Sequence, residues 1–204
     1  MKIAISTQYN HDFEEIAAIT IPIMHEYCKR HGYILDASPT PSKSPAIIWE
    51  RISDALMLLD SGCDAVMHMD ADALITNLSV SVEDILSLLP NLSDADLVAT
   101  AENDIINDGC CIWRATLGTM SAMQDIFSKL GEFSSPQDVI NNHAAALDVY
   151  HVSPRTMNSV LNAEYGNVNP LTEWQDGDFV LHLPGVGNAR RVELLKEYSQ
   201  KIIR

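Results

Sequence analysis

Basic residues are scarce in this chain: 13 Lys and Arg stand against 28 Asp and Glu, for a formal net charge of −15. That balance argues against partners that demand a basic face. Nucleic acid is held first through its phosphates, and an anionic membrane surface attracts Lys and Arg. No stretch approaches the ~18 consecutive apolar residues of a membrane-spanning helix. The start, Met1-Lys2-Ile3-Ala4-Ile5-Ser6, has no signal-peptide core and moves at once into a strand-like pattern. Cysteine is limited to Cys28, Cys63, Cys110 and Cys111, with no Cys-x-x-Cys spacing. A zinc site or disulfide framework is therefore disfavoured, and buried free thiols in a reducing, cytoplasmic setting are expected. No internal repeat, low-complexity tract or linker interrupts the 204 residues, so a single domain over 1–204 is expected.

What is present is an alternation of strand and helix patterns. A strand over 2–7 leads into the polar turn 8–12. A helix follows over 13–30, its apolar face set by Ile16, Ile19, Ile23 and Tyr27, with Pro22 expected to bend it. Gly32 precedes a short strand over 33–35, and a Pro- and Ser-rich loop covers 38–45. A second amphipathic helix over 47–59 stops at Ser61-Gly62, just before a strand that ends at Asp70. This β-α-β-α-β opening predicts an α/β fold with a mostly parallel sheet flanked by helices. Beyond it, helices are expected near 82–89, 116–130, 136–145 and 190–203. Strands are expected near 96–100, 109–113, 149–152 and 178–181.

The most informative stretch is Val66-Met67-His68-Met69-Asp70-Ala71-Asp72-Ala73-Leu74-Ile75. Two acids directly behind a buried apolar strand emerge at its C-terminal edge, where open α/β sheets bind ligands. In extended backbone positions i and i+2 share a side, so both carboxylates can converge on one divalent cation, Mn²⁺ or Mg²⁺. An acidic turn is the plainer alternative. Near the other end, Asp178-Phe179-Val180-Leu181-His182 carries one imidazole into the loop Leu183-Pro184-Gly185, followed by Gly187, Asn188, Arg190 and Arg191. His182 thus offers a third metal ligand, and its loop can wrap a diphosphate.

Other segments offer donor contacts, each with a plainer alternative. Ser6-Thr7-Gln8-Tyr9-Asn10 follows the first strand and can grip a nucleobase, or be only a turn. Arg51 in Trp49-Glu50-Arg51-Ile52 suits a diphosphate, or pairs with Glu50 or Asp54. Gly109 in Asn107-Asp108-Gly109 permits close approach of a ligand, or closes a turn. Asp138 in Ser135-Pro136-Gln137-Asp138 stands in a helix's first turn, where acids are commonly caps.

Taken in order, these segments resemble the metal-dependent GT-A glycosyltransferases, in particular the α-galactosyl-, α-mannosyl- and α-xylosyltransferase family. That family's Trp-x-Lys-Ile helix is matched by Trp49-Glu50-Arg51-Ile52, with arginine in place of lysine. Its Trp-x-Asp-x-Asp-Ala-Leu-Ile-x-Asn is matched by the run from His68 to Asn77. Asn107-Asp108-Gly109 with Arg114, Gln137-Asp138, Leu161-Asn162-Ala163 and His182-Leu183-Pro184-Gly185 match further motifs in the same order.

The resemblance implies a GT-A-like, Rossmann-like fold and transfer of a sugar from a nucleoside-diphosphate donor, UDP-linked, to a saccharide or other hydroxyl acceptor, with retention. Asp70, Asp72 and His182 would hold Mn²⁺ or Mg²⁺. Ser6, Thr7, Gln8, Tyr9, Arg51, Asp70, Ala71, Asn107, Gly109, Gly185 and Arg190 would bind the donor, with Arg191 as the other late basic candidate. Gln137 and Asp138 would lie near the anomeric carbon, and Asp138 would be the general base if the reaction inverts. Two rivals remain open from sequence. One is a haloacid-dehalogenase-like phosphatase with Asp70 as nucleophile, whose usual threonine is replaced by Leu74. The other is a catalytically silent sugar-nucleotide-binding domain.

Overall fold

A computed structural model of the protein describes residues 1–41, 46–90, 95–102, 105–143, 147–166 and 169–204. The expected β-α-β-α-β opening is present. It comprises β1 (Ile3–Tyr9), α1 (Glu14–His31, entered through a 3-10 turn at His11–Phe13), β2 (Ile34–Pro39), α2 (Ala46–Asp60) and β3 (Ala65–Met69). There follow β4 (Ala73–Ile75), α3 (Val82–Leu86), β5 (Leu97–Glu102), β6 (Ile105–Arg114), α4 (Leu117–Ser128), α5 (Pro136–His143) and β7 (Val149–Val152). The chain continues with α6 (Pro154–Met157), α7 (Asn162–Tyr165), β8 (Val180–His182) and α8 (Asn188–Tyr198). Parts of the expected loop 38–45 and helix 136–145 lie outside the described residues.

Six strands form the main sheet in the order β2-β1-β3-β6-β5-β7. β2, β1 and β3 run parallel to one another, β6 is antiparallel to both β3 and β5, and β7 is parallel to β5. Period-2 alternation sorts the strand side chains into two apolar layers. Ile3, Ile5, Met67, Met69, Cys110 and Ile112 face one layer, with α1 and α8 residues such as Met24, Tyr27 and Leu195. Ala4, Val66, Cys111 and Trp113 face the other, against Trp49, Ile52, Ala55 and Leu59 of α2. The spacing of those α2 residues puts them on one helical stripe.

Helix boundaries follow local chemistry. Gly32 takes the left-handed conformation (φ 76°) and donates its N–H to Cys28 O, ending α1, which runs as one helix through Pro22. Thr116 caps α4 through Thr119 N, and Ser81 and Asp84 form a capping box on α3.

The feature that builds the site is a second, two-stranded antiparallel sheet. β4 pairs with β8 so that Ala73 lies opposite His182. Residues distant in sequence, the acid pair just before β4 and the histidine at the end of β8, are thereby made neighbours. Among the described residues, no helix is long and apolar enough to cross a membrane.

Candidate active site

The acids do not sit on extended backbone. Asp70 to Ala73 is a tight turn, closed by Ala73 N donating to Asp70 O at 2.9 Å. The turn is pinned from two sides, by Thr20 Oγ1 of α1 donating to Ala71 O at 2.8 Å and by Asp70 N donating to Gly109 O at 2.7 Å. The convergence expected from i, i+2 alternation is therefore achieved by the turn that joins β3 to β4. Asp70, Asp72 and His182 each contribute one ligand atom to a cluster whose members all lie within 4.8 Å of one another. His182 Nε2 is 3.6 Å from Asp70 Oδ2 and 3.5 Å from Asp72 Oδ1.

The imidazole is oriented from behind. His182 Nδ1 lies 2.8 Å from Asn158 Oδ1, an acceptor, so Nδ1 carries the proton and Nε2 is left to face the acids. Asn158 is itself held by donating Nδ2 to Thr100 Oγ1 at 3.1 Å. Gly109 keeps the space open: a Cβ there would meet His182 Cε1 at 2.4 Å and Asp70 Oδ2 at 2.9 Å. Two carboxylates and one neutral imidazole nitrogen, arranged around a volume that only glycine leaves free, fit a divalent Mn²⁺ or Mg²⁺ ion.

Two arginines balance the acids. Arg51 Nη1 reaches Asp70 Oδ1 at 3.3 Å and Asp108 Oδ1 at 3.2 Å, while its Nε donates to Ile48 O. Arg191 Nε lies 2.8 Å from Asp72 Oδ2, donates to Leu183 O, and sets its guanidinium over the Phe13 ring at 5.3 Å. Burial favours the neutral form of Asp70, but Arg51, then His68 and His182, outweigh it and hold its pKa below the ordinary carboxylate range. Burial likewise opposes a charge on His182, yet Asp72 and then Asp70 raise its pKa above the ordinary value. Asp108 goes the other way: burial raises it further than Arg51 lowers it.

The cluster opens onto a cleft of about 800 Å³. Its walls include Tyr9, the turn Asn10–Phe13, Ile47 and Ile48, Pro184 and Gly185. Comparison with solved structures identifies this architecture. A glycosyltransferase involved in the glycosylation of the major capsid of PBCV-1 has a TM-score of 0.76 at 17% identity, over 97% of this chain and 100% of that one. The galactosyltransferase LgtC, solved with donor and acceptor sugar analogs, has a TM-score of 0.58 at 13% identity, over 98% of this chain and 100% of that one. The fold is that of the GT-A glycosyltransferases. The glycosyltransferase GlyE of Streptococcus pneumoniae TIGR4 shares it at TM-score 0.64 and 13% identity, this chain spanning 60% of GlyE's length. No family model and no curated protein matches the sequence.

On the GT-A fold the expected site residues fall into three groups. Gln8, Tyr9, Arg51, Asp70, Ala71, Asp72, His182 and Gly185 line the cleft. Gly185 does so with φ 72°, a conformation that favours glycine. A second group supports the first. Ser6 accepts from Gln8 Nε2, Thr7 is buried in β1, Asn107 Oδ1 accepts from Gly109 N, and Gln137 Oε1 accepts from Asp108 N at 3.2 Å.

The third group stands apart. Asp138 bonds to Ser134 and its N–H to Ser135, as a helix-start acid does, and those bonds lower its pKa. Arg190 is half-exposed and pairs with Glu164 and Glu193, so of the two late arginines it is Arg191 that faces the acid pair. Sequence reasoning gave no role to His68, Asp108 or Asn158. A histidine alone in an apolar strand was the available signal for His68, and an acid beside a motif glycine the one for Asp108. Asn158 ends a four-residue helix and leaves no sequence pattern.

Proposed function

We propose that the chain is a metal-dependent glycosyltransferase moving a sugar from a nucleoside-diphosphate donor, UDP-linked, to a hydroxyl of a saccharide or small-molecule acceptor, with retention. The observation that carries this is the Asp70–Asp72–His182 cluster facing a cleft of about 800 Å³ on a GT-A fold. Residues 1–204 would act as one catalytic domain, and four buried free thiols support a reducing, cytoplasmic compartment.

Asp70, Asp72 and His182 would hold Mn²⁺ or Mg²⁺, which supplies Lewis-acid stabilisation of the charge that builds on the departing diphosphate. The protein's own contribution is positioned charge and shape. Arg51 and Arg191 bring planar guanidinium groups to the same end of the cleft, a geometry suited to phosphate oxygens. The C-terminal end of β1, which runs on through Gln8 and Tyr9 where a turn was expected, would receive the nucleobase over Ser6 and Thr7. Ala71, Asn107, Gly109 and Gly185 would let the donor approach backbone. In the transfer, the bond from the anomeric carbon to the diphosphate oxygen breaks with its electron pair going to the diphosphate. The acceptor hydroxyl oxygen bonds to that carbon, and its proton would pass to the departing diphosphate oxygen on the same face. Gln137, which accepts from Asp108 N, would stabilise the oxocarbenium-like state or position the acceptor hydroxyl. Asp138 would take such a role only by leaving its bonds to Ser134 and Ser135.

The test is turnover with a panel of nucleoside-diphosphate sugars, with and without Mn²⁺. Metal-dependent release of nucleoside diphosphate is expected. Release of inorganic phosphate from a monoester instead would indicate a phosphatase, and binding without turnover a silent domain. A donor at 100 times its Kd stabilises the fold by about 2.7 kcal/mol, so thermal shift ranks the panel first. Asp72→Asn should abolish metal-dependent donor binding while the protein stays folded. Unchanged affinity for UDP with Mn²⁺ in that variant would overturn the assignment.

A further inference from the structure

β3 is buried throughout, and apolar except for one residue. Among Ala65, Val66, Met67 and Met69 stands His68, whose side chain is only 3% exposed. Its ring stands at the cleft wall, with Nε2 3.2 Å from Asp70 Oδ1. An ionised carboxylate only accepts hydrogen bonds, so Nε2 carries the proton and donates. Nδ1 has no partner among the described residues, although it is buried. A buried imidazole with one nitrogen unmatched is costly in a strand where leucine or methionine would pack, so packing does not account for it.

The two oxygens of Asp70 are divided in their duties. Oδ1 receives His68 Nε2 and Arg51 Nη1, and Oδ2 faces His182 Nε2 across 3.6 Å. With Oδ1 occupied from two directions, the carboxylate plane is fixed and Oδ2 is turned toward Asp72 and His182. We propose that His68 is a positioning residue of the metal centre, whose Nε2–H locks Asp70 so that Oδ2 is the ligand oxygen. This rests on the metal-dependent function proposed above. His68 would match on the acid side what Asn158 does for His182 on the other, hydrogen bonds from outside the ligand shell that fix the shell's geometry.

The test compares His68→Leu, which keeps bulk and removes the donor, with His68→Gln, whose amide can place an N–H near the position of Nε2. Mn²⁺ affinity is measured on the protein alone by the loss of the free-ion electron paramagnetic resonance signal, beside the melting temperature without metal. His68→Leu should weaken Mn²⁺ binding by about 10- to 100-fold, and His68→Gln should recover most of that. The metal-free melting temperature of His68→Leu should change little, because removal of the buried unmatched nitrogen offsets loss of the bond to Asp70. Wild-type Mn²⁺ affinity in His68→Leu overturns the proposal, as does equal weakening in both variants. If the wild-type protein itself binds no Mn²⁺, the metal-dependent function fails first, and Asp72→Asn, then indistinguishable from wild type, identifies that failure.

Discussion

A Cβ built on residue 109 would lie 2.4 Å from His182 Cε1, 2.9 Å from Asp70 Oδ2 and 3.1 Å from Asn107 Oδ1. Real side chains do not approach so closely, so at this position glycine is required by volume rather than by backbone angle. Gly109→Ala should displace His182 or Asp70, the two residues least able to move without dismantling the cluster. We expect a stability cost of about 1–3 kcal/mol from overpacking and at least a tenfold loss of Mn²⁺ affinity. Calorimetric titration with Mn²⁺ beside thermal unfolding separates the two effects, and undiminished affinity would show that the ions do not bind where the glycine makes room. Sequence made Asp70, Asp72, Gly109 and His182 legible because each stands at a strand edge beside a recognisable pattern. Asp108 and Asn158 act through bonds to residues far away in the chain, and such pairings have no signature in local spacing. His68 bonds to Asp70 only two residues on, but its side chain lies within a buried strand whose pattern reads as packing.

At the scale of elements, β8 is three residues long and could not hold its place by its own ladder. It is anchored by the buried Asp178 just before it. That carboxylate takes Arg155 Nη2 at 2.8 Å and Nε at 3.2 Å, Ser159 Oγ at 2.9 Å and Gln175 N at 2.9 Å. Ser159 then runs beside the strand, accepting from His182 N and donating its own N–H to Val180 O. Asp178→Ala leaves a guanidinium, a hydroxyl and a backbone N–H unmatched. It should cost about 3 kcal/mol, lowering the melting temperature by about 6–12 °C in a chain of this size, and should weaken metal binding by loosening His182. Asp178→Asn, keeping one acceptor oxygen, should cost less, and an equal cost for both would remove the anchoring role. The elements that escaped sequence reasoning are of this short kind. β4 is three residues whose partner lies near the far end of the chain, and α6 and α7 are four residues each, too short for a periodicity to register. The longer elements, α1, α2, β1 and β3, carry full repeats of their period and were legible to within a few residues.

At the scale of the molecule, the net charge of −15 and the local balance of the cleft oppose each other. Around the cluster, Asp70, Asp72 and Asp108 face Arg51 and Arg191, so the metal-free site is close to neutral and a divalent ion gives it the positive charge that a diphosphate needs. The protonation of the cluster then couples folding to metal. His182 has a pKa raised above 6.5, so in the metal-free protein its charged form contributes stability that is fully present below about pH 6.5 and lost as pH rises through the folded value. Asp70, with its pKa depressed, has the opposite sign: its contribution is present above the ordinary value of 3.8 and lost only as pH falls through the lower one. A cation needs His182 neutral and therefore competes with its proton. Below the raised pKa, each pH unit should cost about tenfold in Mn²⁺ affinity, or about 1.4 kcal/mol of metal-dependent stabilisation. Melting curves with and without Mn²⁺ between about pH 5 and 8 should diverge as pH rises, by about 3–6 °C per unit until His182 is neutral. Asp72→Asn should abolish the divergence, and a Mn²⁺ shift that stays constant across that range would mean that the ion binds without displacing the His182 proton.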